Sequence, residues 1–461
     1  MSMSFHHECL AGLARAFLAF TTFFGAIMKI PFFVKIFFQY SVMVLLLGMN
    51  AGSGAFAQDA LVLELQDARL RALSSNPGLA EMQERYEALT HIAPQVGSLP
   101  DPVVSLNAMN FPLGSFDVNQ EPMTQVQLGV SQMFPFPGKL GLREDIALFE
   151  AEAALNSVDE MRLNLDMNVT VTWWEIYFLD RSLDTVLSNQ ALFRQFVTIA
   201  ETKYEVGNGL QQDVLLAQLE LSKLLDTEIQ LKSMRERRLI RLNVLMDISP
   251  NTPAVLPVMM PKFSGVIAKE PTLYQRALDT RPLLKQEQAS IDASKSRLAL
   301  AKKDYYPDFK LGAQYGNRQE DDFGRSRKDF LSVMLSVNIP LYAGTKQSEA
   351  VEQRSRELAR NTYSLVDQRN LVLSSISNSV TELDQATEQL YLFGDGILPQ
   401  ARQTVESMLV GYQVDQVDFL NLVRSQVTLF NYELLYWKAF TEINQSVARL
   451  SAAVGEENIY E

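Results

Sequence analysis

The chain has 461 residues, enough for two or three ordinary domains, and a formal net charge of −13. That acidity excludes nucleic acid as a partner, because neutralising phosphates needs a basic surface. A single cysteine, Cys9, and three histidines leave no disulfide framework and no His or Cys cluster for a metal. Neither G-x-S-x-G, a P-loop nor a strand-linked G-x-G-x-x-G occurs, so we expect no enzyme and no cofactor.

In chain order, the first element is a leader. From Met28, "MKIPFFVKIFFQYSVMVLLLGMNAGSGAFAQ" places Lys29 and Lys35 ahead of an apolar run, and small residues end in Ala55-Phe56-Ala57. This reads as an N-terminal extension plus secretory signal over residues 1–57, cut before Gln58; a retained anchor is the competing reading. Removing Arg15, Lys29, Lys35 and Glu8 leaves 38 basic and 53 acidic residues, a formal −15. Cys9 leaves as well, so residue 58 onward has no thiolate ligand and no lipid-acceptor cysteine.

The remainder is written twice. "ALSSNP" at 72–77 returns as "ALDTRP" at 277–282, and "LPDPVVSL" at 99–106 as "YPDFKLGA" at 306–313. "SQMFPFPGKLGLRE" at 131–144 returns as "SVNIPLYAGTKQSE" at 336–349, and "YEVGNGLQQDVLLAQ" at 204–218 as "YQVDQVDFLNLVRSQ" at 412–426. Four echoes in order at nearly constant offset define two tandem repeats, 58–270 and 271–461. Each has a short helix, around 60–97 and 272–304, then a strand pair, a very long helix, a turn and another helix.

The strands fall at about 102–111 with 124–134, and 308–316 with 329–339, within strand regions of about 102–134 and 308–340. Leu331, Val333, Leu335, Val337 and Ile339 alternate with Ser332, Met334, Ser336 and Asn338, the period of a strand between two different environments. The helical regions run over about 138–248 and 344–455. The first long helix spans about Gly138 to Tyr204 and reaches about 100 Å. Its stripe Leu165, Val169, Thr172, Ile176, Leu179, Leu183, Val186, Gln190, Phe193 has coiled-coil spacing. The second, Gly344 to Tyr412, has Ile376, Leu383, Leu390 and Ile397 seven apart, with a bend expected at Gly394, Gly396 and Pro399. Trp173 and Trp174 read as helix-packing residues, and Met109, Met123 and Met133 as gap fillers rather than soft-metal ligands.

Strands of nine to eleven residues are long enough to span an outer membrane when tilted, but four are too few to close a barrel. Three copies would supply twelve. Phe134 and Phe136, with Tyr305, Tyr306 and Tyr342, would then sit at the membrane interface. Pro135 and Pro137 would end strand pairing, and a glycine would turn the chain into the helix.

The set of motifs resembles the TolC-type outer-membrane efflux family over nearly all of residues 58–461. "LPDP", "SQMFPFPGK" and "VTWWEIYFLD" are closer to its heavy-metal branch, of the copper/silver and cobalt–zinc–cadmium kind. The resemblance implies a mainly α protein with membrane β: a homotrimer with a twelve-stranded β-barrel in outer-membrane lipid and an α-helical barrel in the periplasm. It also implies a periplasmic adaptor and an inner-membrane RND-type pump as partners, and a passive duct serving heavy-metal cation efflux. Many members of that branch are lipid-anchored, and the missing cysteine departs from the pattern.

The helix–turn–helix tips, Tyr204 to Asp213 and Tyr412 to Asn421, would form the gate and the adaptor contact. Docking falls to Gly207, Asn208, Gly209 and Leu210 in the first tip, and to Val414, Gln416 and Val417 in the second. The gate acids are Asp415 and Asp418, then Asp213; three copies would form acidic rings whose mutual repulsion raises pKa values. Asp415 stands where the pattern has glycine, and Asn421 where the first repeat has Asp213. The alternative is an exported coiled-coil structural or adhesive protein with a soluble β-domain.

Overall fold

In the computed structural model the described residues are 61–260, 263, 265–456, 459 and 460; the leader and its cleavage site lie outside them. The chain opens with strand β1 (Leu61–Val62) and helices α1 (Leu65–Ser75), α2 (Pro77–Thr90) and α3 (Ile92–Gly97). A hairpin, β2 (Val103–Met109) and β3 (Gln125–Phe134), leads into α4 (Lys139–Glu205), which returns as α5 (Gln211–Leu245). After β4 (Ala254–Val255) the plan repeats with α6 (Glu270–Thr280), α7 (Pro282–Lys303) and the hairpin β5 (Phe309–Asn317) and β6 (Phe330–Val337). The last helices are α8 (Gln347–Tyr391), a π-helical turn (Leu392–Ile397), α9 (Leu398–Gln413) and α10 (Phe419–Val454).

The prolines of the first echo divide what reads as one short helix in each repeat. Asn76 caps α2, its Oδ1 accepting from Gly78 N at 3.0 Å and Leu79 N at 3.1 Å, while its Nδ2 donates to Leu245 O. A residue before proline is pushed out of the helical region, so the first helix stops there. Arg281 holds the same place before Pro282 but reaches across to α4, donating to Glu160 Oε1 at 2.6 Å. One repeat is thereby tied to the other by a buried, charge-assisted bond.

Helix α4 is 67 residues long without a break. Its predicted stripe is buried except for the half-buried Leu183, and it packs against α2, α5, α7 and α10. Near its middle Trp173 is fully buried, donates Nε1–H to Leu63 O at 3.0 Å, and stacks on Tyr177 with ring centroids 5.8 Å apart. Trp174 meets Trp173 edge-on at 5.0 Å and Phe440 at 6.0 Å. Around them gather Leu63, Leu165, Leu242 and Met246, with the short parallel pair β1–β4 alongside. The chain just before α1 is thus anchored in the middle of the helical body, a connection not visible in the sequence pattern.

The second long helix is interrupted where its glycines and proline lie. Pro399 has no N–H for the carbonyl of Asp395, and its ring crowds that carbonyl. The helix widens into the π turn over Leu392–Ile397. The first long helix has no proline and remains α-helical throughout.

The four long strands form one antiparallel sheet in the order β2-β3-β5-β6. Directly paired residues share a face, so Val104, Val130, Ala313 and Val333 form one row across it, and Leu106, Leu128, Tyr315 and Leu331 the next. This apolar face is exposed, with Leu106 and Leu331 both 75% accessible. Rows on the other face read Ser105, Gly129, Gln314, Ser332 and Asn107, Gln127, Gly316, Phe330. Gln125 and Gln127 on it are buried. No described helix is long and apolar enough to cross a membrane. Met109, Met123 and Met133 fill no core gap; each is 40% exposed or more.

Candidate functional site

Two places bring the predicted residues together. The first is the joint between sheet and helix. The ladder ends at Phe134 paired with Phe309, Pro135 and Pro137 follow, and Gly138 turns the chain into α4 at φ +86°, a conformation that favours glycine. Phe136 stacks on Tyr306 at 4.6 Å, and the Lys303 ammonium sits 5.7 Å over the Phe136 ring. Phe134, Tyr305 and Tyr342 are exposed at this same end.

The joint also contains a side chain that sequence reasoning passed over. Lys139 is 3% accessible, with its Nζ 3.1 Å from Asp304 and 3.0 Å from Asp308. Asp308 also accepts from Phe136 N at 2.7 Å. A buried ammonium is costly unless carboxylates face it, and here two do. The signal was present, since Lys139 follows the glycine of "FPGK" and Asp308 is the acid of "YPDF", but nothing in the sequence pairs them. The second joint lacks such a lock, and its Leu341 and Tyr342 are exposed.

The second place is the pair of helical tips. In the first, Gly207 N donates to Tyr204 O and Asn208 N to Lys203 O, at 3.0 and 2.9 Å. This is the double bond pattern of a helix ended by a left-handed residue, and Gly207 has φ +79°. The second tip repeats it: Asp415 N donates to Tyr412 O at 3.3 Å and Gln416 N to Gly411 O at 2.8 Å, with Asp415 at φ +60°. Aspartate is among the few residues with a side chain that visit this region readily. Leu210 and Val414 are exposed and Val417 half-buried, while Asp418 stands at the N-cap of α10.

The tips pack on each other. Phe193, Phe196, Tyr412, Phe419 and Leu422 form their core, with Tyr412 and Phe419 centroids 5.0 Å apart. Lys203 crosses between the tips, donating to Tyr412 O at 2.6 Å, pairing with Asp415 and lying 4.6 Å over the Tyr412 ring. Asp415 is therefore an ion-pair partner within one chain, not a lone carboxylate, and Lys203 is a functional candidate that the sequence reading missed. Asp213 lies beside Tyr412 and Asp418; burial first, then the Asp418 charge, raises its pKa above the ordinary carboxylate value. The raised acid is thus the one placed last from sequence. Burial, followed by the neighbouring Asp213 and Asp415 charges, pushes the Tyr412 phenol up to about 12.

Comparison with known proteins adds the decisive observation. Residues 273–456 match the model of the outer membrane efflux protein family. That match covers most of the second repeat and leaves the first outside it. Its backbone is similar to the outer-membrane channel OprN, with a TM-score of 0.71 at 18% identity, covering 85% of this chain and 89% of that one. It is likewise similar to the outer membrane protein VceC of Vibrio cholerae, with a TM-score of 0.73 at 16% identity, covering 86% and 97%. In sequence it is 23% identical over 195 residues to the cobalt-zinc-cadmium resistance protein CzcC of Cupriavidus metallidurans, 40% of this chain and 43% of that protein. The chain spans less than half the length of the curated relatives it matches. The family consists of transport ducts, not enzymes.

Proposed function

We propose that this protein is the outer-membrane component of a tripartite efflux pump: a passive duct made by three copies, gated at its helical tips and energised elsewhere. One observation carries the reading. Among the described residues a four-stranded sheet exposes a continuous apolar face on one side and mainly polar or small side chains on the other, and its edge strands β2 and β6 pair with no further strand. Open edges invite strand pairing with another chain. Three copies joined edge to edge would close twelve strands around a polar bore, with the apolar rows in lipid.

The two tips suit the gate and the adaptor contact. Their left-handed turns expose Gly207, Leu210 and Val414, which fit against another helical hairpin, while the Lys203–Asp415 pair and the Tyr412–Phe419 core hold the two hairpins of one chain together. Partners are a periplasmic adaptor and an inner-membrane pump of the RND type. The cargo we infer is heavy-metal cations, supported by the likeness to CzcC and by acids at the tips. The structural-protein alternative leaves the exposed apolar face without a purpose.

Growth tests check this reading. Deleting the gene should raise sensitivity to cobalt, zinc or cadmium salts, and the intact gene should restore resistance. A variant with Gly207 and Gly209 replaced by bulky residues should reach the membrane but fail to restore it. Normal resistance in that variant would contradict docking at the first tip. Unchanged metal tolerance in the deletion strain would contradict the cargo.

A further inference from the structure

We propose that Lys310 sets the charge preference of the barrel's bore; this rests on the reading of the chain as a trimeric duct. The four long strands contain a single charged residue, and it is Lys310. Its place is fixed by register. Lys310 pairs with Met133 on one side and Ser336 on the other, while its neighbours Phe309 and Leu311 pair with Phe134 and Gln132, and with Val337 and Leu335. Lys310 therefore shares the face of Gly129, Gln314 and Ser332, opposite the apolar rows. A lysine reaching for a lipid headgroup would lie on the other face.

Lys310 makes no ion pair or side-chain hydrogen bond with any described residue. Asp308, two residues earlier, already faces Lys139 and the Phe136 N–H. The rest of the face is uncharged, and its amides lie flat. A Cβ on Gly316 would meet the Gln125 amide, and one on Gly129 would fall 2.8 Å from Gln314 Cγ and 2.8 Å from Ser105 Oγ. Gly129 and Gly316 are thus covered by neighbouring glutamines and Gly312 by Ser131 and Met334, which leaves a neutral wall with one ammonium per chain near its helical end.

Three copies place three ammonium groups at one level of the bore, where a ring of one sign favours ions of the other. The tips carry acids, so the duct has opposite charge at two levels: cations are favoured at the periplasmic mouth and anions, or cations carried as anionic complexes, at the barrel. Screening sets where this is seen. The Debye length is about 30 Å at 0.01 M salt and about 3 Å at 1 M, so a charge on a wide wall acts across the bore only in dilute salt.

The test is the reversal potential of purified channels in planar bilayers under a KCl gradient, for the wild type, Lys310→Gln and Lys310→Glu, with trimer mobility on unheated gels as the check on assembly. In dilute salt Lys310→Gln should shift the reversal potential toward cation preference, Lys310→Glu should shift it further, and both differences should vanish near 1 M. Equal reversal potentials in dilute salt, for wild type and Lys310→Gln channels of normal conductance, would overturn the proposal. Wild-type protein that forms no channels would overturn the duct and this inference with it.

Discussion

Lys203 and Asp415 show how two repeats of one plan acquire different jobs. The close approach across each turn is accommodated by glycine, but on opposite sides. In the first tip the small residue is Gly209, where a Cβ would lie 2.8 Å from Lys203 Cβ; in the second it is Gly411, where a Cβ would lie 2.6 Å from Val417. That exchange leaves room for a lysine only in the first tip, from which it reaches the second. Exposed ion pairs contribute about 0–1 kcal/mol, so Lys203→Met should shift the tip equilibrium toward opening by up to roughly fivefold, read as a higher single-channel open probability. Asp415→Gly should do the same while retaining the turn, which separates charge from backbone. Unchanged gating in both variants would remove the pair from the gate.

Asp213 should make the tips pH-dependent, with a sign that follows from its raised pKa. A carboxyl whose pKa is raised by folding favours the packed state when protonated, so its stabilisation is complete below the unfolded value of 3.8 and is lost as pH rises through the raised value. Tip amides should therefore exchange hydrogen more slowly, relative to intrinsic rates, on the acid side of that window. Asp213→Asn should hold the slower behaviour at neutral pH, and a pH profile identical to wild type would contradict this assignment. The tip turns themselves were legible, because a tyrosine two residues before a valine marks both, with glycines following in the first. Lys203 was not, since a single lysine near a helix end carries no sign of a partner 212 positions away.

At the level of elements, the strands and long helices follow their periodicities closely, and the departures have local causes. Prolines at 77 and 282 divide the short helices, and Pro399 with Gly394 and Gly396 produces the π turn rather than a simple bend. The β1–β4 pair was invisible because two residues per strand carry no period. The alternation in β6 yields a direct test of which face meets lipid. Leu331→Arg should cost about 2–4 kcal/mol near the membrane midplane and reduce the amount of assembled protein in outer-membrane fractions, whereas Ser332→Arg, on the polar face, should assemble normally. Equal recovery of the two would contradict the assignment of faces.

For the whole molecule, duplication explains why a single chain is incomplete. Each repeat supplies one hairpin and one long helical pair, and the buried ties between repeats, Arg281 with Glu160 and Lys139 with Asp304 and Asp308, fix the two hairpins side by side. Among the described residues, the sheet that results has two free edges and an apolar face without cover. Both features invite contact with further copies and with lipid, and the proposed edge-to-edge closure of three copies in a bilayer would satisfy both. The most direct test is the mass of the protein extracted from outer membranes in mild detergent, with unheated and heated samples compared by gel mobility. A trimer that converts to monomer only on heating is expected; a water-soluble monomer or dimer would contradict closure by three copies.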